Sequence, residues 1–300
     1  MPTESDAERP RWAAVVVNYE AGDRLVGCVR SVLADTSAGP VEVVVVDNGS
    51  RDGSVDTLRA AVPAVRVVRA PGNVGYARAA NLGIAASRAP IVAVLNVDTV
   101  VEPGAAKALL DRLDREARLG AVGPRLRNPD GTAYPSARTM PSIPVAIGHG
   151  LVGIWKPDNR FTARYRQLDA DPSAPRLVDV VSGAAIWLRR TALDDVGGWD
   201  EGYFMYLEDT DLCWRLRRAG WDVAYEPSAV VDHEQGVITA RRPYRMLLEH
   251  HRSAWHFAKV RLTGAQAVLL PFAAVFFATR AVLAAAAQAW RALGRGRARD

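Results

Sequence analysis

Short, nearly continuous apolar runs alternate with amphipathic segments along the first part of the chain. Valine-rich runs of this length are typical of strands buried on both faces of a parallel sheet. The segments between them carry apolar residues at helical spacing. The alternation predicts a doubly wound βαβαβαβ half, with strands at residues 13–19, 41–48, 65–70 and 91–98 and helices at residues 23–34, 53–61, 75–87 and 103–115.

The second part of the chain is less regular. Residues 128–176 are rich in proline, glycine and polar side chains, which predicts a long loop that is functional or disordered. Regular structure is expected again further along. The expected elements are a strand at residues 178–190, a short helix after Thr191, a helix at residues 209–219 and a strand pair at residues 222–233.

Two more helices are expected at residues 244–259 and 265–293. Residues 265–279 carry no charge, but Pro271 and Arg280 interrupt an apolar run that falls short of the ~20 residues a spanning helix needs. We therefore expect a helix lying on a membrane surface, with packing on the protein itself as the alternative. The N-terminus is polar and acidic, so no signal peptide is expected and the predicted location is cytoplasmic.

Composition narrows the class of protein. A chain of 300 residues with 49% hydrophobic content can bury one α/β core with appendages. Cys28 and Cys213 both lie in predicted helices, which favours buried, reduced thiols. The net charge of +5 owes much to C-terminal arginines, which favours anionic lipid or diphosphate over nucleic acid as the partner. No G-x-G-x-x-G follows the first strand, so a dinucleotide-dependent oxidoreductase is disfavoured.

Three acidic signatures follow one another along the chain. VVVVDNGSRDGS ends the second predicted strand at Asp47, and VAVLNVDT ends the fourth at Asp98. Open α/β sheets bind ligands at this edge, so both carboxylates are expected in one crevice. The third signature, GGWDEGYFMYLEDTDLCWRLRRAGW, puts Glu208, Asp209 and Asp211 where a loop enters a helix. The positive end of that helix favours ionised carboxylates.

In this order the three signatures resemble those of the inverting family 2 glycosyltransferases, over about residues 12–233. The resemblance implies a GT-A type fold, which is an α/β doubly wound mixed sheet. Residues 12–128 would form its Rossmann-like donor half and residues 129–240 its acceptor half, followed by C-terminal helices at residues 241–300. The resemblance also implies a nucleotide-diphosphate sugar as donor and Mg²⁺ or Mn²⁺ as cofactor.

The resemblance assigns roles on the donor side. Asp47 is expected to accept the N3 proton of uracil or thymine beside the ring of Tyr19, with a loop cap as the alternative for Asp47. Asn96 replaces the first aspartate of the family's D-x-D motif. Asp98 and His233 are expected to hold the metal, although a lone histidine is more often structural. The expected nucleotide-sugar site comprises Asn18, Tyr19, Asp47, Asn48, Asn73, Gly75, Tyr76, Asn81 and Asn96.

For catalysis the resemblance assigns the base to Asp209, which would take the proton of the acceptor hydroxyl as this attacks the anomeric carbon. Glu208 is expected to orient the acceptor or Asp209. Asp211, four residues before Arg215, is expected to form a helix ion pair instead. A single base fits an inverting displacement. The expected acceptor wall comprises Gly183, Trp199, Asp200 and Tyr206, with core packing as the alternative for the tryptophan.

The segments AYPSARTMPS and YFMYLEDTDL and the basic, apolar tail resemble a narrower group. These are the actinobacterial rhamnosyltransferases that extend polyprenyl-diphospho-N-acetylglucosamine in cell-wall linker synthesis. The likeness implies dTDP-rhamnose as donor, transfer of one sugar to a polyprenyl-diphosphate-linked acceptor, and a peripheral location on the cytosolic face of the cell membrane. The alternatives are transfer of another nucleotide hexose, nucleotidyl transfer, and a sugar-binding homologue without activity.

Overall fold

The computed structural model describes residues 10–234 and 243–297, with side chains described as far as residue 290. The strands are β1 Trp12–Asn18, β2 Val41–Asp47, β3 Arg66–Arg69, β4 Ile91–Asn96, β5 Thr99–Val101, β6 Leu119–Arg127, β7 Ala133–Tyr134, β8 Ala137–Arg138, β9 Arg176–Leu177, β10 Val180–Val181, β11 Ala185–Arg189 and β12 Asp222–His233. The helices are α1 Arg24–Ala34, α2 Ser54–Ala61, α3 Tyr76–Ala86, α4 Ala105–Arg115, α5 Ile143–Trp155, α6 Arg160–Tyr165, α7 Arg190–Val196, α8 Glu208–Arg218, α9 Pro243–Arg261 and α10 Leu270–Arg297.

The predicted parallel half is confirmed. β1 pairs in parallel with β2 and β4, and β2 pairs in parallel with β3. Every residue of β1 is buried, because α1, α2 and α4 cover one face of the sheet and α3, α7 and α8 cover the other. Alternate residues of the strand therefore enter different cores, which explains the continuous apolar run. Both cysteines are buried and free, as expected.

The sheet becomes mixed beyond β4. β11 runs antiparallel to both β4 and β6, and β12 runs parallel to β6, which gives the order β3-β2-β1-β4-β11-β6-β12-β5. Residues 222–233 form one strand rather than the expected pair. Its register with β6 shifts between Glu226 and Val230. Pro227 lies within this shift and has no N–H to donate to the ladder, so the strand bulges without turning back.

The prediction of one long loop at residues 128–176 is wrong. The segment contains α5, α6 and three short strands. A Cβ added to Gly148 of α5 would clash with the ring of Phe161 on α6, so the two helices pack through this glycine. Packing of this kind stabilises a helix whose glycine content lowers its intrinsic propensity.

The last two helices pack against each other, and α10 also packs against α5. The helix expected from residue 265 begins at Leu270, after a 3-10 helix at Gly264–Leu269, and Pro271 is the second residue of α10, where a missing N–H costs no helical hydrogen bond. Arg280 turns towards the protein and donates to the backbone oxygen of Gly150. Among the described residues, Gly264–Trp290 is long and apolar enough to cross a membrane by length and composition. How α10 meets a membrane stays a prediction.

Candidate active site

A cavity of about 800 Å³ runs from the carboxyl ends of β1 and β4 to the first turns of α8 and α9. This is the size of a site for small organic ligands. One wall comes from the parallel half, where β4 leads into the turn that holds Asp98. The opposite wall comes from the loop before β11 and from the segment that enters α8. Residues from both the predicted donor set and the predicted acceptor set therefore meet at one edge of the sheet.

On the donor side the loop after β2 is tied to the loop before α3. Asn48 Nδ2 donates to Asn73 Oδ1 and to the backbone oxygen of Gly75, both at 3.3 Å. The N–H of Val74 donates to Asn48 Oδ1 at 2.9 Å. Five of the predicted nucleotide-sugar residues from these loops and from α3 and the end of β1 line the cavity. They are Tyr19, Asn48, Asn73, Gly75 and Tyr76.

Asn18 and Asp47 lie behind this wall. Asn18 is fully buried and its Nδ2 donates to the hydroxyls of Ser50 and Ser54 at 3.1 and 3.0 Å. Asp47 Oδ1 accepts the N–H of Ser50 at 2.9 Å, which is the loop cap named as the alternative. The structure brings neither side chain into the cavity lining. Asn18 instead supports the loop, and contact of Asp47 with a base stays a prediction.

Asn96 and Asp98 meet His233 at the sheet edge, because β5 pairs Thr99 with His233. His233 Nε2 lies 3.4 Å from Asp98 Oδ1 and 3.5 Å from Asn96 Nδ2. Its other nitrogen, Nδ1, is buried without a hydrogen-bond partner among the described residues. The predicted metal pair is therefore brought together in space.

The donor set of this pair suits Mn²⁺ or Mg²⁺. A carboxylate oxygen and an imidazole nitrogen are ordinary ligands of such ions, and the amide of Asn96 adds a further polar group. No group of three or more histidine, cysteine, aspartate or glutamate residues suited to a metal occurs in the described part of the chain. Two protein ligands leave most positions to phosphate and water, which is the usual arrangement for Mg²⁺ on a nucleotide.

Asp209 faces this pair from the first turn of α8. Its Oδ2 accepts the N–H of Gly183 at 3.0 Å and lies 3.7 Å from Arg138 Nη1. The backbone oxygen of Gly183 accepts in turn from the hydroxyl of Tyr76 at 2.9 Å. Oδ1 of Asp209 accepts the N–H of Thr210 at 2.7 Å. Both oxygens of the carboxylate are thus held, and the carboxylate is oriented in the absence of substrate.

Glu208 is buried beside Asp209 and lines the same cavity. Burial first, and the neighbouring charge of Asp209 second, raise the pKa of Glu208 to about 8. Its Oε2 has no hydrogen-bond partner within the described residues. The raised pKa favours the protonated carboxyl, whose hydroxyl is a hydrogen-bond donor.

Sequence reasoning did not single out Arg138 and Tyr134, although AYPSARTMPS contains both. Arg138 Nη2 donates to the Tyr134 hydroxyl at 2.9 Å, and the ring of Tyr134 meets that of His233 edge-on at 6.0 Å. Burial acts to lower the pKa of Arg138, but Tyr165, Tyr134 and Asp209 raise it above its usual value. Arg138 thus connects Asp209 to Tyr134, which in turn contacts His233.

Helix α9 closes one end of the cavity with Arg245, Met246 and His250. His250 lies on α9 one turn beyond Met246. It packs against the ring of Tyr206 at 5.6 Å, and burial together with Arg280 lowers its pKa to about 3. His250 is therefore neutral at physiological pH. Tyr206, like Gly183, lines the cavity as predicted.

Three predicted residues brace the wall instead of lining it. Asn81 Nδ2 donates to the backbone oxygen of Trp199 at 2.9 Å, and Asn81 Oδ1 accepts the N–H of Trp199 at 3.0 Å. The indole is buried and meets the ring of Tyr76 edge-on. Asp200 Oδ2 lies 2.8 Å from His256 Nε2. None of the three is in the cavity lining, so the structure corrects these predictions to supporting roles.

Asp211 forms the predicted ion pair with Arg215, with Oδ2 2.6 Å from Nε. Asp211, in the first turn of α8, is fully buried and does not line the cavity. The two aspartates in the first turn of α8, Asp209 and Asp211, therefore have different partners.

The chain matches the family model described as "Glycosyltransferase like family 2" over residues 10–258. The N-acetylglucosaminyl-diphospho-decaprenol L-rhamnosyltransferase of Mycobacterium tuberculosis is 41% identical over 261 residues, which are 83% of this chain and 84% of that protein. The pre-mycofactocin glycosyltransferase of the same species is 33% identical over 66% of this chain and 38% of its own length.

Two solved structures share the fold. The mannosyltransferase PcManGT from Pyrobaculum calidifontis, in complex with GDP-Man and Mn²⁺, has a TM-score of 0.57 at 20% identity, over 97% of this chain and 81% of that chain. GalNAc-T7 with UDP, GalNAc and Mn²⁺ has a TM-score of 0.56 at 15% identity, over 90% of this chain and 55% of that chain. At these identities the likeness concerns the fold alone.

Proposed function

The chain belongs to the family 2 glycosyltransferases and has their GT-A type fold, and from this premise we propose that it transfers one L-rhamnose from dTDP-rhamnose to polyprenyl-diphospho-N-acetylglucosamine. One observation carries the proposal. The Asp98–His233 pair and the oriented carboxylate of Asp209 face one cavity, each on its own wall. The identity of 41% to a rhamnosyltransferase supports the choice of both substrates.

On the donor side, Tyr19, Asn48 and Asn73 bind the nucleotide. Asp47 accepts a hydrogen bond from N3–H of thymine. Asp98 and His233 hold Mg²⁺ or Mn²⁺, with Asn96 beside them. The ion supplies positive charge that stabilises the departing nucleoside diphosphate. Asp98, His233 and Asn96 fix the position of the diphosphate relative to the acceptor wall.

On the acceptor side, Asp209 removes the proton of the attacking N-acetylglucosamine hydroxyl. The new bond forms between this oxygen and the anomeric carbon. The bond to dTDP breaks on the opposite face, and its electron pair leaves with the diphosphate. The proton remains on Asp209, while the N–H of Gly183 and the guanidinium of Arg138 keep the carboxylate in place. One displacement of this kind inverts the anomeric centre.

The acceptor is a membrane lipid, so the enzyme works at the cytosolic face of the cell membrane. Exposed apolar side chains along α10 support this location, because a folded protein in water seldom presents so many on one helix. They include Phe272, Val275, Val282 and Trp290. A peripheral helix in the interface is the arrangement we propose.

Turnover of polyprenyl-diphospho-N-acetylglucosamine with dTDP-rhamnose, UDP-galactose, UDP-glucose and GDP-mannose tests this function. We expect dTDP-rhamnose to be the best donor, with release of dTDP and addition of one sugar. A UDP-hexose that outperforms dTDP-rhamnose would reject the proposed donor. Release of inorganic diphosphate instead of dTDP would show nucleotidyl transfer, and the absence of turnover with every donor would indicate a binding protein.

A further inference from the structure

The arginines that line the cavity have different surroundings. Among the described residues they are Arg51, Arg138 and Arg245. Arg138 contacts the base and two tyrosines. Arg51 is on the donor loop, where its N–H donates to Glu20 Oε1. Arg245 forms no ion pair with any described residue, and its guanidinium lies over the ring of Phe204, 5.2 Å from the centroid.

Arg245 is followed by apolar surface on its own helix and on the next. Leu248 is three residues further along α9, so it lies on the same side of the helix as Arg245, and it is 48% exposed. Tyr244 is 52% exposed, and Met246 lines the cavity. Helix α10 packs on α9, with Arg280 Nη1 2.9 Å from His251 Nε2, and just beyond this contact it presents the exposed apolar side chain of Val282. A cation at the cavity is thus adjacent to an apolar path towards the protein surface.

A carboxylate, then a cation, then apolar surface is the order of groups that would contact a sugar joined by a diphosphate to a hydrocarbon chain. The attacking hydroxyl and the diphosphate occupy different carbons of the acceptor sugar, so the cation for the diphosphate must be separate from the base. Arg138, 3.7 Å from Asp209, is at the attacking end. Arg245 forms no ion pair with Asp209 or Glu208, so it suits the diphosphate end of the acceptor. An arginine stacked on an aromatic ring still presents N–H groups that bind phosphate oxygens.

We propose that Arg245 binds the diphosphate of the lipid-linked acceptor and that Leu248, with Tyr244, contacts its first prenyl units. This subsite rests on the proposed function for the identity of its ligand. It separates the two diphosphates of the reaction, because the donor diphosphate lies with the Asp98–His233 pair and the acceptor diphosphate lies with α9.

Arg245→Gln tests the subsite. We expect the KM for polyprenyl-diphospho-N-acetylglucosamine to rise at least about tenfold, as for loss of a charge-assisted hydrogen bond. The inhibition constant of a short prenyl diphosphate should rise by a similar factor. The KM for dTDP-rhamnose and the inhibition constant of dTDP should not change. Arg252→Gln is the matched control, because Arg252 is exposed on the same helix, pairs with Glu249 and does not line the cavity.

Two results would overturn the subsite. Unchanged constants for the lipid acceptor and for the prenyl diphosphate would remove Arg245 from it. An equal loss of dTDP binding would move Arg245 to the donor site. A wild-type enzyme that turns over no lipid-linked acceptor would instead reject the proposed function. In that case calorimetric titration of the same prenyl diphosphate into wild-type and Arg245→Gln protein decides the subsite by itself.

Discussion

At the scale of single residues, the site consists of side chains that are held by other elements before any ligand binds. Asp209 of α8 is held by the N–H of Gly183 and lies beside Arg138 of β8. Asp98 lies beside His233 at the end of β12. Groups fixed in this way need little reorganisation when charge develops during the reaction. Single substitutions should therefore separate binding from chemistry.

Asp209→Asn should lower kcat by ~100-fold or more, since the amide keeps the shape of the side chain but cannot accept the proton. The affinity for dTDP should stay the same. Asp211→Asn is the matched control within α8. It should keep most of kcat but lower the melting temperature, because Arg215 loses its buried partner. Steady-state kinetics and thermal unfolding of both variants measure this, and reversed effects would reject Asp209 as the base.

Asp98→Ala should abolish the part of dTDP affinity that depends on Mn²⁺ or Mg²⁺, because the proposed ion loses its carboxylate ligand. Calorimetric titration of dTDP with and without Mn²⁺ measures this difference directly. Asp111→Asn, at an exposed ion pair with Lys107 on α4, controls for the loss of one negative charge. Metal-dependent affinity that survives in Asp98→Ala would remove Asp98 from the site.

At the scale of elements, the sequence predicts the strands that are buried on both faces. It does not predict elements whose formation depends on tertiary packing. The buried runs of β1, β2 and β4 are visible because every position must be apolar. Helix α5 has no such signal, because Gly148 at the contact with Phe161, together with Gly150 and Gly153, hides its periodicity. Strands of two residues, such as β7 and β8, are too short to show an alternation.

The predicted site residues do not all reach the cavity. Asn73 and Gly75, just before α3, line the cavity, whereas Asn81 within α3 donates to the backbone oxygen of Trp199. A polar side chain that binds a ligand and one that ties two loops together look alike in a sequence. The missed Arg138 is the opposite case, because its role depends on partners that are distant along the chain.

Contact between α3 and the parallel strands depends on Gly83. A Cβ at this position would clash with Cγ1 of Val15 and lie 2.8 Å from Cγ2 of Val46. Gly83→Ala should therefore destabilise the protein by about 1–3 kcal/mol through overpacking. Gly27→Ala is the control, because Gly27 is helical in α1 with open space around it, and it should stabilise by roughly 0.4–1 kcal/mol. Chemical denaturation tests both, and equal effects would contradict this packing.

At the scale of the whole molecule, α10 is predicted to hold the enzyme on the membrane. Replacing Phe272, Val275 and Val282 by serine should weaken binding to anionic vesicles at least about tenfold, since these side chains are 72, 68 and 69% exposed and lose their apolar contribution. Co-sedimentation at low and high salt measures this. Leu33→Ser, at an exposed position of α1, is the control. Equal partitioning of the variant and the wild type would assign α10 to packing alone.

The basic end of the chain should add to this attachment. Arginine near an anionic membrane surface contributes about 1 kcal/mol, and this contribution falls with added salt. The residues concerned have side chains that lie outside the described residues. They are Arg291, Arg295, Arg297 and Arg299. Vesicle binding of the wild type should therefore weaken at high salt, and binding that is independent of salt would contradict this contribution.

The central claim is that the acceptor hydroxyl, deprotonated by Asp209, displaces the nucleoside diphosphate in one step. The anomeric configuration of the new linkage tests it most directly. Full-length wild-type enzyme is incubated with dTDP-rhamnose, Mn²⁺ and polyprenyl-diphospho-N-acetylglucosamine, and the configuration of the purified product is determined by NMR. The account predicts a configuration opposite to that of the donor. Retention would contradict it, because retention requires a second displacement that a single base on this cavity wall does not provide.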